Sequence, residues 1–420
     1  MNGGNKMKFK RKISILLVAT LVLSVFLAGC AGSSNTTDTG TKQSGIDKKE
    51  IVIGCVGALT GPSAQLGKNL RTGVELAVAD LNAKGGISGI PVRVIFRDDE
   101  ADPTKSLNLV RELVEKEKID VFIGPTNTTC ANASYPYLTE KKIITMNGGC
   151  TGTTLINEVT FPYNFRTHVN NRDQAIYLAK TAVDSGFQRI AIVHDTSALG
   201  TGAEADMIKA LKDKGATPIV NVAYNANDVD MLPIAKKLKE ANPDICLFYT
   251  LGVDGARIVK EMEKIDFLPP KIQILGYSAM CMPVFNQLAG TAAKNVLSIN
   301  EINTSYPVGG KAPQRTLEIA KKFEEKYGAN DFKEVIFMVV LSFYDCTNIY
   351  AQAVEKADSL DPDAVKTAIE SLETYDGVSC IYSFGANKHD GNSPDTMTVL
   401  DINKSDGLGS FEQAQFQNVK

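Results

Sequence analysis

The sequence contains no tryptophan and three histidines, His168, His194 and His389. Aromatic contact with a ligand therefore falls to tyrosine or phenylalanine, and histidine general-base catalysis has little to work with. The eight cysteines, Cys30, Cys55, Cys130, Cys150, Cys246, Cys281, Cys346 and Cys380, form no C-x-x-C pair and have no histidine at metal-motif spacing. That argues against a zinc site, and no metal or cofactor is expected. The run Ile13–Leu27 is apolar apart from Ser14, Thr20 and Ser24, and is shorter than the about 20 residues a membrane span needs. Hydrophobic residues make up 44% and charged residues 22%, which excludes wholesale disorder, collagen and multi-pass membrane classes. At 420 residues the chain exceeds one small core and points to two lobes.

What is present begins at the N-terminus. Lys6, Lys8, Lys10, Arg11 and Lys12 precede the short apolar run, with no acid among them. Without these five, 40 bases face 48 acids, so the formal charge of -3 conceals a body at -8. An acidic body argues against nucleic acid as a partner. Basic cluster and short apolar run together read as a secretory signal over residues 1–29. Leu27-Ala28-Gly29-Cys30 resembles the bacterial lipobox, which implies a lipidated Cys30 as mature N-terminus and anchor to the cell membrane. Acyl chains contribute about 0.8 kcal/mol per buried CH₂, so several hold a protein at a bilayer. A transmembrane anchor is the competing reading. Residues 30–49, rich in Gly, Ser, Thr and Asn, read as a flexible tether. With Cys30 lipidated, seven cysteines remain and at least one is unpaired. Apolar neighbours, as in Ile245-Cys246-Leu247, mark several as small buried hydrophobes, while disulfides stay open outside the cytoplasm.

From Glu50 the pattern alternates. Ile51–Leu59, Val92–Arg97, Val121–Gly124 and Ile143–Met146 read as strands, with helices over Asn69–Ala83 and Pro103–Glu117 between them. Asp102-Pro103 reads as an N-cap followed by proline at the first helical position. A second series follows, with strands at Arg189–His194, Thr217–Tyr224, Ile245–Thr250 and Lys271–Tyr277. Helices interleave at Gln174–Asp184, Thr201–Lys214, Met231–Glu240 and Ala256–Ile265. Such alternation predicts an α/β fold of two lobes with mostly parallel sheets, and a ligand in the cleft beyond the strands' carboxyl ends. The tail carries helical patterns at Arg315–Tyr327 and Val335–Ala357 and short strands near Ile381–Phe384 and Met397–Ile402. It is too short for a third lobe and is expected to complete the first two.

Catalytic motifs fail on inspection. Gly61 to Lys68 imitates a phosphate loop, but five residues separate its glycines and Asn69 stands where Ser or Thr should hold Mg²⁺. Gly200-Thr201-Gly202 opens a helix after a strand, but no acid follows at about 20 residues. His194-Asp195 near Ser197 lacks a nucleophile elbow. No enzyme is expected.

Four segments resemble the type I periplasmic solute-binding proteins, specifically the leucine/isoleucine/valine-binding branch of ABC-importer receptors. They are Val56–Gly67 with Thr72–Ala77; Asp80–Gly89 with Asp98-Asp99 and Asp102-Pro103; Arg189–Asp195 with Gly200; and Tyr344-Asp345. The resemblance implies two Rossmann-like lobes joined by three hinge crossovers. It places lobe 1 at residues 50–168 plus 301–396, and lobe 2 at 169–300 plus 397–420. It aligns Gly124–Thr129 with a loop that holds an amino-acid carboxylate, bringing in Thr126 and, at the hydroxyl position, Thr128. Asn147–Thr151 matches the second loop, with a carbonyl from Gly149 and a hydroxyl and amide from Thr151. Small polar residues at strand-to-helix turns suit an anion on physical grounds as well. The bland reading makes these threonines N-caps.

The sequence departs from the pattern after the fourth strand of the second series. Amino-acid binders of the branch carry an acid there to pair the ligand ammonium, and this chain has Ser278. Asp195 and Asp254 near other strand ends are candidate substitutes; alternatively the ligand lacks an ammonium. Leu66 stands where the branch has an aromatic, and Tyr277 either lines the pocket or packs between lobes. The resemblance implies a lipid-anchored receptor that captures a small carboxylate-bearing solute, foremost a branched-chain or other neutral amino acid, for a membrane permease and its ATPase. The alternatives are a receptor for an aromatic acid, urea or short amide, and a sensing subunit of a signalling system.

Overall fold

Strand β1 (Ile51–Gly57) is buried at every position, as a strand covered on both faces must be. A computed structural model describes residues 45–225, 228–414 and 416 of the chain. The expected signal, Cys30 and most of the tether lie outside them. The last residues of the expected tether are packed: Gly45 N donates to Asp358 Oδ1 (3.1 Å), Lys48 pairs with Asp120, and Ile46 lies on the core.

β1 is central in a wholly parallel sheet with β2 (Val92–Asp98), β3 (Val121–Ile123), β4 (Ile144–Asn147) and β5 (Asn164–Arg166), in the order β2-β1-β3-β4-β5. The second sheet contains β6 (Ile190–Asp195), β7 (Val220–Tyr224), β8 (Ile245–Tyr249), β9 (Gln273–Gly276) and β10 (Leu297–Glu301), all parallel. β14 (Met397–Ser405) lies antiparallel to β10, and β15 (Phe411–Gln413) and β11 (Ser305–Tyr306) finish the edge. The full order is β11-β15-β14-β10-β9-β8-β6-β7.

Helices alternate with these strands. α1 (Ala64–Ala83) buries Leu70, Val74, Ala77, Val78 and Leu81, the stripe read from the sequence. It starts five residues earlier than its apolar periodicity shows, because its first turns carry polar and small residues. α2 (Pro103–Glu115) is capped as expected, with Asp102 accepting from Lys105 N at 2.7 Å. α3 (Thr128–Glu140) had no apolar stripe to announce it. α4 (Asn171–Asp184), α5 (Ala198–Asp213), α6 (Leu232–Ala241) and α7 (Gly252–Lys264) accompany the second sheet, followed by the short α8 (Pro283–Ala289).

Part of the tail packs on the helices of the first sheet, and β14 and β15 join the second. α9 (Gln314–Tyr327) is tied to α1 by Lys322–Asp80 (2.6 Å) and Lys326–Glu75 (2.7 Å). α10 (Phe337–Ala357) packs along α1 so closely that a Cβ on Gly73 would stand 2.3 Å from Val340 O; only glycine fits. α11 (Pro362–Glu370) follows, and then a short hairpin, β12 (Tyr375–Asp376) with β13 (Ile381–Tyr382). The chain passes between the sheets three times: after β5, after β11 and before β14. The first pass lies beside the third and beside the end of β10, since Asn392 Nδ2 donates to Thr167 O (2.7 Å) and His168 Nδ1 lies 3.2 Å from Glu301 Oε1.

Seven cysteines are free and buried, among them Cys55 of β1 and Cys246 of β8, so among the described residues no disulfide exists. Burial pushes the Cys130 and Cys281 thiols up to about 12. A thiol reagent at pH 8 should label none of the seven in native protein and all of them in guanidinium, counted by mass spectrometry.

In the middle of α10, Asp345 is enclosed and accepts from Val378 N, Ser379 N and Tyr382 OH, each at 2.9 Å, which pins the hairpin to the helix. Burial pushes its carboxyl up to about 7, against these hydrogen bonds. The folded chain then holds a proton that the unfolded chain releases near pH 4, so this group's contribution to stability falls as pH rises from about 4 to about 7. Urea unfolding across pH 4.5–7.5 should show wild type losing stability relative to Asp345→Asn. Parallel curves would contradict the raised carboxyl.

Candidate functional site

In parallel α/β sheets the loops after the strands' carboxyl ends hold ligands. Here the two carboxyl edges meet at Asn171, the first residue of α4. Its N–H donates to Thr151 O in the loop after β4 (3.1 Å), and its carbonyl accepts from Tyr249 OH at the end of β8 (2.9 Å).

On the first sheet two loops adjoin. Thr126, after β3, is buried and its hydroxyl is committed internally: it accepts from Ala58 N (3.2 Å) and donates to Asn127 Oδ1 (3.1 Å). Asn127 is the N-cap of α3, and its side chain makes no cap hydrogen bond. Thr128 is therefore not a cap; it is the first helical residue, half-buried, beside backbone N–H groups with no side-chain cap. Its Cγ2 lies 2.7 Å from where a Cβ on Gly152 would stand, so the Thr128 turn rests on the second loop. Cys150 Sγ to Pro125 O, 3.1 Å, links the same two segments.

The second loop is folded by Asn147, whose Oδ1 accepts from Gly149 N (3.0 Å) and Cys150 N (2.8 Å). A Cβ on Gly149 would stand 3.0 Å from the Phe343 ring of α10, so the residue is kept small and its amide is directed into the loop. The fully buried Arg166 braces the loop from below by donating to Gly152 O (2.7 Å) and Cys150 O (3.3 Å). Leu66 of α1 is half-buried and packs against the core of the first sheet.

On the second sheet, Asp195 closes β6, is buried, and accepts from Ser197 N (2.7 Å). Tyr277, after β9, is buried and stacks on Tyr249 with centroids 4.1 Å apart and planes 12° apart; burial pushes its phenol up. Ser278 Oγ donates to Gln174 Oε1 of α4 (2.6 Å), so the uncharged residue at the expected acid position is held by the protein itself. Asp254, in the first turn of α7, is buried and lies 3.2 Å from Arg257 Nη1. Burial raises its carboxyl; Arg257 opposes the rise and Asp195 adds to it.

Sequence reasoning missed Asn171, Gln174, Tyr224, Tyr249 and Thr250. The hydroxyls of Tyr224 and Thr250 and the Nε2 of Gln174 are buried without a hydrogen-bond partner at this edge. Tyr224 and Thr250 end their expected strands, and that position was the available signal.

The failed motifs also find structural uses. Lys68 pairs with Glu334 (2.5 Å), and Gly200 and Gly202 lie within α5. His194 faces Glu204 at 3.3 Å through Nε2, with Nδ1 2.8 Å from Asp195 O. Among the described residues no group of three His, Cys, Asp or Glu is placed to hold a metal ion, and no helix is long and apolar enough to cross a membrane.

Comparison with known proteins agrees with this geometry. Residues 50–407 match the periplasmic binding protein family. The Leu/Ile/Val-binding protein homolog 2 of Brucella abortus (strain 2308) is 25% identical over 351 residues, covering 83% of this chain and 90% of the relative. The crystal structure of a type 1 periplasmic binding protein from Bordetella pertussis Tohama I has a TM-score of 0.70 at 25% identity, covering 84% of this chain and 96% of that one. A solute-binding protein of an ABC transporter from Rhodopseudomonas palustris HaA2, solved with p-hydroxybenzoic acid, shares the fold, with a TM-score of 0.72 at 21% identity over 88% of this chain and 96% of that one. These relatives are binding proteins rather than enzymes. The α/β architecture, the paired sheets and the match over 50–407 place the chain in the periplasmic binding protein family, as a type I member of the leucine/isoleucine/valine-binding branch.

Proposed function

We propose that the protein is the extracytoplasmic substrate receptor of an ABC importer, anchored by lipidated Cys30, and that it captures a small carboxylate-bearing solute, foremost a neutral amino acid. The observation that carries this reading is the contact of the two first-sheet loops. The uncapped start of α3 with Thr128, and the loop that carries Thr151, lie against each other and bring helix-start N–H groups and threonine hydroxyls together, with the Gly149 carbonyl beside them. Such a surface offsets the desolvation of a carboxylate through charge-assisted hydrogen bonds and the helix dipole. No bond chemistry is needed, because closure of the sheets' edges on the solute gives the permease a shape to recognise. A micromolar Kd corresponds to about -8 kcal/mol, within reach of a few such bonds plus apolar burial.

A second reading has its own observation. The Tyr249–Tyr277 stack beside an uncharged Ser278 would suit an aromatic acid, the class of ligand seen in the Rhodopseudomonas palustris structure. A thermal-shift screen over amino acids, aromatic acids, urea and short amides separates the two.

Removing Thr128 and Thr151 hydroxyls together should weaken the stabilising solute at least about 100-fold, since each charge-assisted bond contributes about 1.5–3 kcal/mol. The melting temperature without solute should change little, as both residues are half-buried. Calorimetry showing unchanged affinity in Thr128→Ala/Thr151→Ala would remove the site from these loops.

A further inference from the structure

The β14–β15 hairpin reaches from the second sheet onto helices that pack on the first. Its tip is folded by Asp406, whose Oδ1 accepts from Leu408 N (2.8 Å) and Ser410 N (3.0 Å). Leu408 packs against the cluster of Phe323, Phe337 and Val340, and a Cβ on Gly409 would stand 2.5 Å from Phe337 Cβ. The tip is therefore pressed against the start of α10.

Beside this contact lies a cavity of about 170 Å³. Val335, Phe337 and Met338 form one wall and Phe411 of β15 another, and all four are buried. Met338 is fixed from behind, since its Sδ accepts from Asn300 Nδ2 of β10 (2.8 Å). Ser405 and Pro283 are exposed and form the rim, so the recess has an entrance. No charged side chain lines it. Cys281 also reaches the wall, and burial pushes its thiol up to about 12, which keeps it neutral. None of Thr128, Gly149, Thr151 and Ser278 takes part, so the recess is separate from the carboxylate loops.

Size and lining together define what fits. Interiors leave few voids larger than a water, and an empty apolar recess costs stability that a matching occupant restores. Cavities of about 150 Å³ lined by Leu, Ile and Phe admit benzene. A charged occupant would find no partner for its charge. The neighbouring rings favour an aromatic guest. Phe332, also on the wall, meets Phe337 edge-on with centroids 5.3 Å apart and lies 4.3 Å from Phe323. Aromatic rings prefer such edge and offset contacts, so one more ring extends the set.

We propose that this recess is a second ligand site, taking one small uncharged aromatic molecule between the β14–β15 hairpin and the start of α10. It is independent of the receptor reading, and either can fail without the other. The occupant touches a hairpin of the second sheet and a helix packed on the first, and so stabilises the contact between them.

The probe is fluorobenzene, titrated into the full chain in mild detergent and followed by fluorine NMR and thermal melting. Wild type should bind it saturably and melt about 2 °C higher at about ten times the dissociation constant. Val335→Phe, which places a ring in the recess, should weaken fluorobenzene at least about tenfold. Uptake by micelles is the same for both proteins and cancels. Benzylamine, the same ring bearing a charge, should bind wild type at least about 30-fold more weakly than fluorobenzene. Phe332→Ala widens the recess without crowding it and should admit naphthalene, which wild type excludes; this arm decides the matter if Val335→Phe does not fold. The site is overturned by no saturable fluorobenzene binding to wild type or by equal affinity in folded Val335→Phe. It is overturned equally by benzylamine binding as tightly as fluorobenzene, or by no naphthalene binding to Phe332→Ala. A wild-type dimer that is lost in Val335→Phe, with no fluorobenzene bound, would give the recess to a second copy of the chain and also overturn it.

Discussion

The guanidinium of Arg166 holds together the parts that matter most for binding. It is fully enclosed at the end of β5, where the chain first leaves its sheet. One edge of the fork, Nε and Nη2, reaches Asp390 near the third pass between sheets, with Nη2 to Oδ2 at 2.7 Å. The remaining donors reach Gly152 O and Cys150 O in the loop that carries Thr151. Asn170 Nδ2 joins the network at Asp390 (3.3 Å), one residue before α4 begins. A buried charge is tolerated only when paired and fully hydrogen-bonded, so the geometry of one side chain fixes the hinge and the ligand loop together. The loop after β4 cannot shift without leaving donors of a buried cation unsatisfied.

The same loop is held from other sides as well. Asn147, Phe343 and Arg166 hold the second loop on three sides, and Thr128 rests on it at Gly152. The passes beyond it are different. His168 Nδ1, both oxygens of Glu301, Asn300 Oδ1 and Asn392 Oδ1 are buried without well-formed hydrogen bonds; they sit on the first and third passes and at the end of β10. Unsatisfied buried polar atoms raise the energy of an arrangement without favouring any one alternative.

The fold was largely legible because its signals are periodic. β1, β6 and β8 are unbroken apolar runs, and the helices between them carry 3.6-residue stripes. The elements that escaped have physical reasons. α3 is Thr-Thr-Cys-Ala-Asn-Ala-Ser-Tyr-Pro-Tyr-Leu-Thr-Glu, with Pro136 inside and small polar residues where a stripe would run. β5 and β10 are three and five residues long, with Asn, Arg and Glu at buried positions whose partners lie far along the chain. At the site, Thr128, Gly149 and Thr151 could be placed because strand ends are local features. Tyr224 and Gln174 could not, because their neighbours depend on β6–β7 register and on how α4 leans against the loop after β9. Arg166 was the largest omission, since nothing local marks an arginine as buried.

The two edges divide the recognition by charge. The first presents backbone N–H groups, hydroxyls and a helix start, with its charged Arg166 turned away and neutralised. The second presents two carboxylates, one shared arginine and hydroxyls lacking partners. Under the proposed receptor reading, discrimination between solutes comes from which buried polar groups are left unpaired. Asn171, which touches both Thr151 and Tyr249, ties the two carboxyl edges together.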